Sequence, residues 1–251
     1  RDVYKRQVMK HFAAHGAPQS GLNAAPFMGH GLREVMMKLL TPFKAVFELG
    51  GARGVMMSYN ELDEIPAHVN PLLYDALDEW EYDGFVIADD TGVLNLDNTN
   101  AVSDGPADTI MQWFNAGGMI SFYDYPLDVY LNTTVDLVNN GSVARTTLER
   151  KVQQMLGFKY DLGLFDNPYI PESLDPYALV NENVPLTLEA AHKSIVMLEN
   201  KQSTLPLDAR ASNLSKLAII GPFGDILNFG DYSGTFGAYP VANLSLIHIS
   251  E

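Results

Sequence analysis

Apolar residues along this chain follow two alternating rhythms. Short unbroken runs, the pattern of strands buried on both faces, open the segment VMKHFAAHG (8–16) and recur at 54–60 (GVMMSYN), Phe85–Ile87 and 119–122. Between them the spacing turns helical. Leu32, Val35, Met36, Leu39, Leu40, Val46 and Phe47 share one face, but Pro42 interrupts the period and Gly50-Gly51 stops it, which predicts two helices or one kinked helix. Asn70-Pro71 supplies an N-cap and a first-turn proline for a helix whose apolar face is Leu72, Leu73, Ala76, Leu77 and Trp80. Further helices are predicted over 106–116 and over 127–139, and Thr146 with Glu149 reads as a capping box for a helix through Leu156.

Strand and helix in alternation, with polar groups after the strands, predict an α/β chain built as a parallel (β/α) barrel. About four such units are present, whereas a closed barrel needs eight. From Asp161 to Tyr177 the periodicity gives way to Pro, Asp and Tyr (DLGLFDNPYIPESLDPY), which predicts an extended linker. A new unit then begins, with a helix expected over 187–193 and strands over 194–198 and 216–221. The GPFGD that ends this stretch has too few glycines for a dinucleotide fingerprint and reads as a tight turn.

Within EYDGFVIADDTGV (81–93) an apolar run ends in two carboxylates, Asp89 and Asp90. In parallel α/β folds the strand ends carry the chemistry, since buried strands fix geometry while the loops after them stay open to ligands. Asp89 is therefore the first candidate for a catalytic group, although an Asp in that place can also cap a helix or solvate a turn. Tyr59 stands at another strand end, where it can bond a carboxylate or line a pocket. Lys10 and His11 sit side by side at the end of the first run. Such a pair can donate hydrogen bonds to vicinal sugar hydroxyls, or can be a solvated Lys beside a packed His.

Charge narrows the partners. The 251 residues carry 31 Asp and Glu against 16 Lys and Arg, a net charge of −15, which disfavours nucleic acid and anionic membranes. No apolar run approaches the ~20 residues needed to span a bilayer. With no cysteine, disulfides carry no information on compartment. The ends, RDVYKRQ (1–7) and LSLIHISE (244–251), resemble translated adapter sequence and are expected to be artefacts flanking an internal fragment.

In order, MKHFAAHG, GVMMSYNELDEIPAHVNPLL, GFVIADDTGV, YDLGLFDNPY, KSIVMLENKQSTLPL and LAIIGPFGD resemble glycoside hydrolase family 3, and in particular its fungal-type β-glucosidases. The resemblance implies the C-terminal half of a catalytic (β/α)8 barrel over residues 8–165, a linker over 166–185 and the start of an α/β sandwich over 186–243. It implies that Asp89 is the nucleophile of a retaining β-glucosidase, that Lys10 and His11 contact the sugar in the cleavage subsite, and that Tyr59 stands beside the nucleophile. No cofactor and no metal are expected. The partner is a β-linked glucoside or oligosaccharide, with no nucleic acid or membrane partner, and the oligomeric state is left open.

Two residues depart from the family pattern. Ala88 replaces a usual serine, and Asp90 stands where tryptophan is common. The resemblance also places the family's acid/base Glu downstream of this fragment, so the fragment alone is expected to turn over poorly. A β-xylosidase or β-N-acetylhexosaminidase of the same family and a non-catalytic carbohydrate-binding relative are the other readings. For the hexosaminidase, no Asp-Ser-His loop comes after Gly16. Sequons at Asn132, Asn140 and Asn213 suit an extracellular protein. The genomic sequence is expected to diverge from this chain at both junctions, near Gln7 and Leu244; the same residues continuing across them would contradict the artefact reading.

Overall fold

β1 (Val8–Phe12) leads through β2 (Phe27–Met28) into a bent helical segment, in which α1 (Leu32–Glu34) passes through a π turn, Val35–Leu39, to α2 (Thr41–Glu48). The break expected near Pro42 is present and has a local cause. The proline sits in the first turn of α2, where its missing N–H leaves no bond unmade, and the N–H of Leu40 reaches back five residues to the Val35 carbonyl at 2.9 Å. β3 (Gly54–Met57), the short strands β4 (Glu61–Leu62) and β5 (Ile65–Pro66), and α3 (Pro71–Glu79) come next. Then come β6 (Phe85–Ile87), α4 (Asn95–Asn98), α5 (Gly105–Ala116), α6 (Leu127–Asn139) and α7 (Arg145–Asp161). This computed structural model describes residues 7–207, Ala218, Ile220 and two later strands. It separates into two compact units, residues 1–171 and 172–251.

In the first unit β1, β3 and β6 form one parallel sheet in that order. Val55 pairs with Met9 on one side and with Val86 on the other, so the three strands end together. Phe12, Val55, Met57 and Val86 from the sheet pack with Leu73 and Leu77 of α3 and with Ile110 and Trp113 of α5. Each large apolar side chain so buried contributes about 1.5–3 kcal/mol. Asn70 caps α3 as expected, accepting the Leu72 N–H at 3.0 Å, while its amide donates to the Leu62 carbonyl at 2.9 Å and ties α3 to β4.

Two local expectations fail. The 119–122 run forms no strand and contributes a single parallel bridge, Ile87 to Ile120. Past Ile120 the backbone turns to other partners: the Phe122 N–H is taken by the Asp124 carboxylate at 2.9 Å, and the Phe122 carbonyl accepts from Thr91. The capping box at Thr146 is also absent. α7 starts at Arg145 after Ala144, without a side-chain cap. Glu149 is drawn instead to Arg145, one turn back, at 2.8 Å.

In the second unit the segment expected to be an extended linker contains α8 (Pro176–Glu182), which Asp175 caps by accepting the Tyr177 N–H at 2.9 Å. α9 (Val184–Ser194) covers the helix expected over 187–193. The run 194–198 is not a strand: Ser194 ends α9, and residues 195–200 are irregular. A β-branched run without a hydrogen-bonded neighbour does not hold strand geometry by itself. β7 (Ile226–Asn228) and β8 (Ala238–Pro240) pair antiparallel. The strand expected at 216–221 falls outside the described residues except for Ala218 and Ile220. GPFGD, Asn213 and the terminal stretches 1–6 and 244–251 lie wholly outside them. Among the described residues no helix is long and apolar enough to cross a membrane.

His68 is the most deeply buried titratable side chain near the sheet, at 2% exposure, in a 3-10 turn (Ala67–Val69) just before Asn70. Burial drives its imidazole from an ordinary 6.5 down to about 3, against the pull of a hydrogen bond to the Ser58 backbone. Because the folded value lies below the unfolded one, the unfolded chain takes up a proton in a pH range where the native ring stays neutral. Stability is therefore whole above about pH 6.5 and falls by about 1.4 kcal/mol per pH unit on the way down towards 3. Between pH 6.5 and 4 the urea-unfolding free energy of the full-length protein should fall more steeply than that of His68→Gln, which takes up no proton there, by the slope of about one proton. Parallel slopes in the two proteins would contradict the assignment.

Candidate active site

The parallel register brings the ends of β1, β3 and β6 to the same edge of the sheet, and each end delivers a side chain. Asp89, two residues beyond β6, is 6% exposed. One carboxylate oxygen, Oδ2, lies 3.2 Å from Nε2 of His11 at the end of β1. The other, Oδ1, accepts the backbone N–H of Asp90 at 2.8 Å. The carboxylate is thus oriented from both sides by donors, which a partly desolvated anion requires.

Burial lowers the His11 imidazole below its usual range; Asp89 works against that shift, and the charges of Lys10 and His15 reinforce it. In its neutral form His11 donates Nε2–H to Asp89 and leaves its other ring nitrogen as an acceptor. Lys10 stands on β1 with an exposed side chain. Tyr59, beyond β3, turns its hydroxyl to the loop: it donates to the Asp90 backbone carbonyl at 2.6 Å, which also accepts from Thr91 Oγ1 at 2.6 Å. The structure therefore joins His11 and Asp89 directly and links Tyr59 to them through the loop backbone.

Two further residues, neither among the sequence candidates, shape this edge. Asp124, 5% exposed, accepts three backbone N–H groups: Val93 at 2.7 Å and Leu94 at 2.9 Å on one oxygen, Phe122 at 2.9 Å on the other. Burial raises its carboxyl above the ordinary range, the three N–H bonds oppose that rise, and the charge of Asp90 adds to it. His68 meets Asp89 at its backbone where His11 meets its carboxylate: the Asp89 N–H points at His68 Nε2 over 3.4 Å. An aromatic chain runs from His11 to His15 (5.0 Å between ring centres), to Tyr59 (5.8 Å), to His68 (6.4 Å) and to Trp113 (5.7 Å). The run after Met119, with an Asp two residues past Phe122, is the available signal for Asp124. For His68 it is a histidine inside an apolar PAHVN stretch.

Among the described residues no group of three or more His, Cys, Asp or Glu is placed to hold a metal ion. What the edge offers is an oriented, buried carboxylate with an imidazole against it and the Tyr59 phenol on the carbonyl of the next residue. That arrangement suits nucleophilic attack on an electrophilic carbon.

Residues 5–157 match the Glycosyl hydrolase family 3 N terminal domain. The chain is 31% identical over 249 residues to the periplasmic beta-glucosidase of Salmonella typhimurium, covering 95% of this chain and 31% of that protein. It is 29% identical over 218 residues to a putative beta-xylosidase of Formosa agariphila, covering 86% and 28%. Among solved structures, a beta-glucosidase from Listeria innocua in complex with glucose aligns with a TM-score of 0.67 at 32% identity, covering 80% of this chain and 28% of that one. The chain thus spans under a third of the length of these relatives. The motifs at the strand ends, the parallel sheet that carries them and the match over residues 5–157 agree: the chain belongs to glycosyl hydrolase family 3.

Proposed function

We propose that the full-length protein is a retaining β-glycosidase that releases terminal β-D-glucose from β-glucosides, with Asp89 as its nucleophile. The observation that carries this reading is the double restraint on the Asp89 carboxylate, by His11 at 3.2 Å and by the Asp90 N–H at 2.8 Å. A free carboxylate that had to be reoriented for each turnover would lose much of the advantage of proximity. Asp89 attacks the anomeric carbon and forms a glycosyl ester as the leaving oxygen takes a proton from a second carboxyl group. Water, deprotonated by that same group, then hydrolyses the ester, and two inversions give net retention.

In this reading Lys10 donates to a sugar hydroxyl, His11 holds Asp89 with one nitrogen and accepts a hydroxyl hydrogen with the other, and Tyr59 fixes the loop as it forms a wall of the subsite. We read residues 8–165 as the C-terminal half of a (β/α)8 barrel, 166–185 as the linker and 186–243 as the start of an α/β sandwich. The shared order β1-β3-β6 and its extension by Ile120 support a barrel wall. A location outside the cytosol is supported by the periplasmic Salmonella relative.

A β-xylosidase is the second reading, favoured by the likeness to the Formosa protein at nearly the same identity. Glucose and xylose differ by one hydroxymethyl group, so the ratio of kcat/KM on p-nitrophenyl β-glucoside and β-xyloside decides between them. We expect the glucoside to lead by about tenfold or more; the reverse ratio would favour the xylosidase. Asp89→Asn, which keeps the shape and removes the charge, should lower kcat on the better substrate by about 10³-fold or more, and proton NMR should show the β-anomer as the first product of the unmodified protein. A variant within about tenfold of the parent, or an α-anomer as first product, would overturn the retaining, Asp89-based reading.

A further inference from the structure

Beneath the turn after β6 lies a side chain to which nothing in the mechanism above gives a task. We propose that His68 is a positioning residue for Asp89: its Nε2 takes the Asp89 backbone N–H and so sets the direction in which the carboxylate leaves the strand end. This rests on the reading of Asp89 as nucleophile.

Four observations meet on the ring. The Asp89 N–H points at Nε2 over 3.4 Å, which makes Nε2 the acceptor and leaves the proton on Nδ1, towards the Ser58 backbone at the end of β3. The imidazole therefore clamps the β3 end that carries Tyr59 to the β6 end that carries Asp89. The turn itself, closed by Gly92 N–H on the Asp89 carbonyl at 2.9 Å, is shaped around the ring: a Cβ at Gly92 would come within 2.2 Å of Nε2 and 2.4 Å of Cε1. Tyr74 donates to the His68 carbonyl at 2.8 Å, which fixes the backbone that carries the ring, and Tyr59 and Trp113 flank the ring with centres 6.4 and 5.7 Å away. Finally, burial keeps the imidazole uncharged at working pH. A proton on Nε2 would set donor against donor at the Asp89 amide.

The geometry acts on attack, not on sugar affinity. Both ring nitrogens of His68 are committed, one to the Asp89 amide and one to the Ser58 backbone, so its loss should lower kcat and leave KM nearly unchanged. In the full-length protein, His68→Phe fills the space without an acceptor and should lower kcat by on the order of 10- to 100-fold, the loss typical of a reacting group displaced by about 1 Å. KM should stay within about threefold. His68→Gln, whose side-chain carbonyl can take the Asp89 N–H and whose amide can reach Ser58, should hold kcat within about fivefold. The same order should appear in the rate at which a 2-deoxy-2-fluoro-β-glucoside inactivates each variant, since that reads attack alone.

Should the phenylalanine variant not fold, Gly92→Ala crowds the same nitrogen from the turn side and should reproduce the loss of kcat. The proposal is overturned by a His68→Phe protein with unchanged kcat, by Gln and Phe variants that fall alike, or by losses confined to KM. If Asp89→Asn itself stays active, the nucleophile reading fails instead. An inactive Asp89→Asn beside a fully active His68→Phe defeats only the role given to His68.

Discussion

Hydrogen bonds from loop backbone to two buried carboxylates hold the edge on which the proposed chemistry depends. Asp124 gathers the N–H groups of Val93, Leu94 and Phe122, which pins the loop after β6 to the segment beyond Ile120. Among the described residues Asp89 accepts one backbone N–H, that of Asp90, and its other oxygen lies against His11. The difference is chemical. A carboxylate satisfied by three fixed N–H groups is a structural anchor, whereas one with a single backbone donor and an imidazole keeps lone pairs for another partner. Taking either out of water costs several kcal/mol unless bonded, a cost that the three N–H groups on Asp124 offset more fully than the two donors on Asp89.

The two departures from the family pattern acquire a setting. Ala88 is fully buried in the apolar core, with its N–H on the Ile120 carbonyl at 2.8 Å, so a serine hydroxyl in its place would be buried there too. Asp90 is exposed, and its carbonyl is the acceptor shared by Tyr59 and Thr91. Its backbone thus has a role independent of its side chain, which leaves that side chain open to replacement. The carboxylate adds negative charge beside Asp89 and Asp124, in a chain whose net charge is already −15.

Much of this is legible in the order of residues, and the reasons are local. A buried parallel strand writes itself as an apolar run, so β3 and β6 are visible, and with them the exit of Asp89. The Asn70-Pro71 cap is settled within three residues and forms as expected. The failures share the opposite property. The 119–122 run has strand character, but its backbone groups are claimed by Asp124 and Thr91, partners set by the folded loop. Thr146 and Glu149 have capping-box spacing, yet an arginine at i−4 from the glutamate competes for it. The roles of His68 and Asp124 depend on groups 21 and 31 residues away along the chain, Asp89 and Val93, and no local pattern carries that information.

The central proposal is that Asp89, rather than Asp90 or Asp124, forms a covalent bond with a sugar. Inactivating the full-length protein with 2-deoxy-2-fluoro-β-glucosyl fluoride, digesting it and sequencing the labelled peptide by mass spectrometry reads that bond directly. The account predicts one sugar per active site, carried on the peptide that contains GFVIADD and located at Asp89 by fragmentation. A label on Asp90, on Asp124 or on a peptide outside this loop would contradict it.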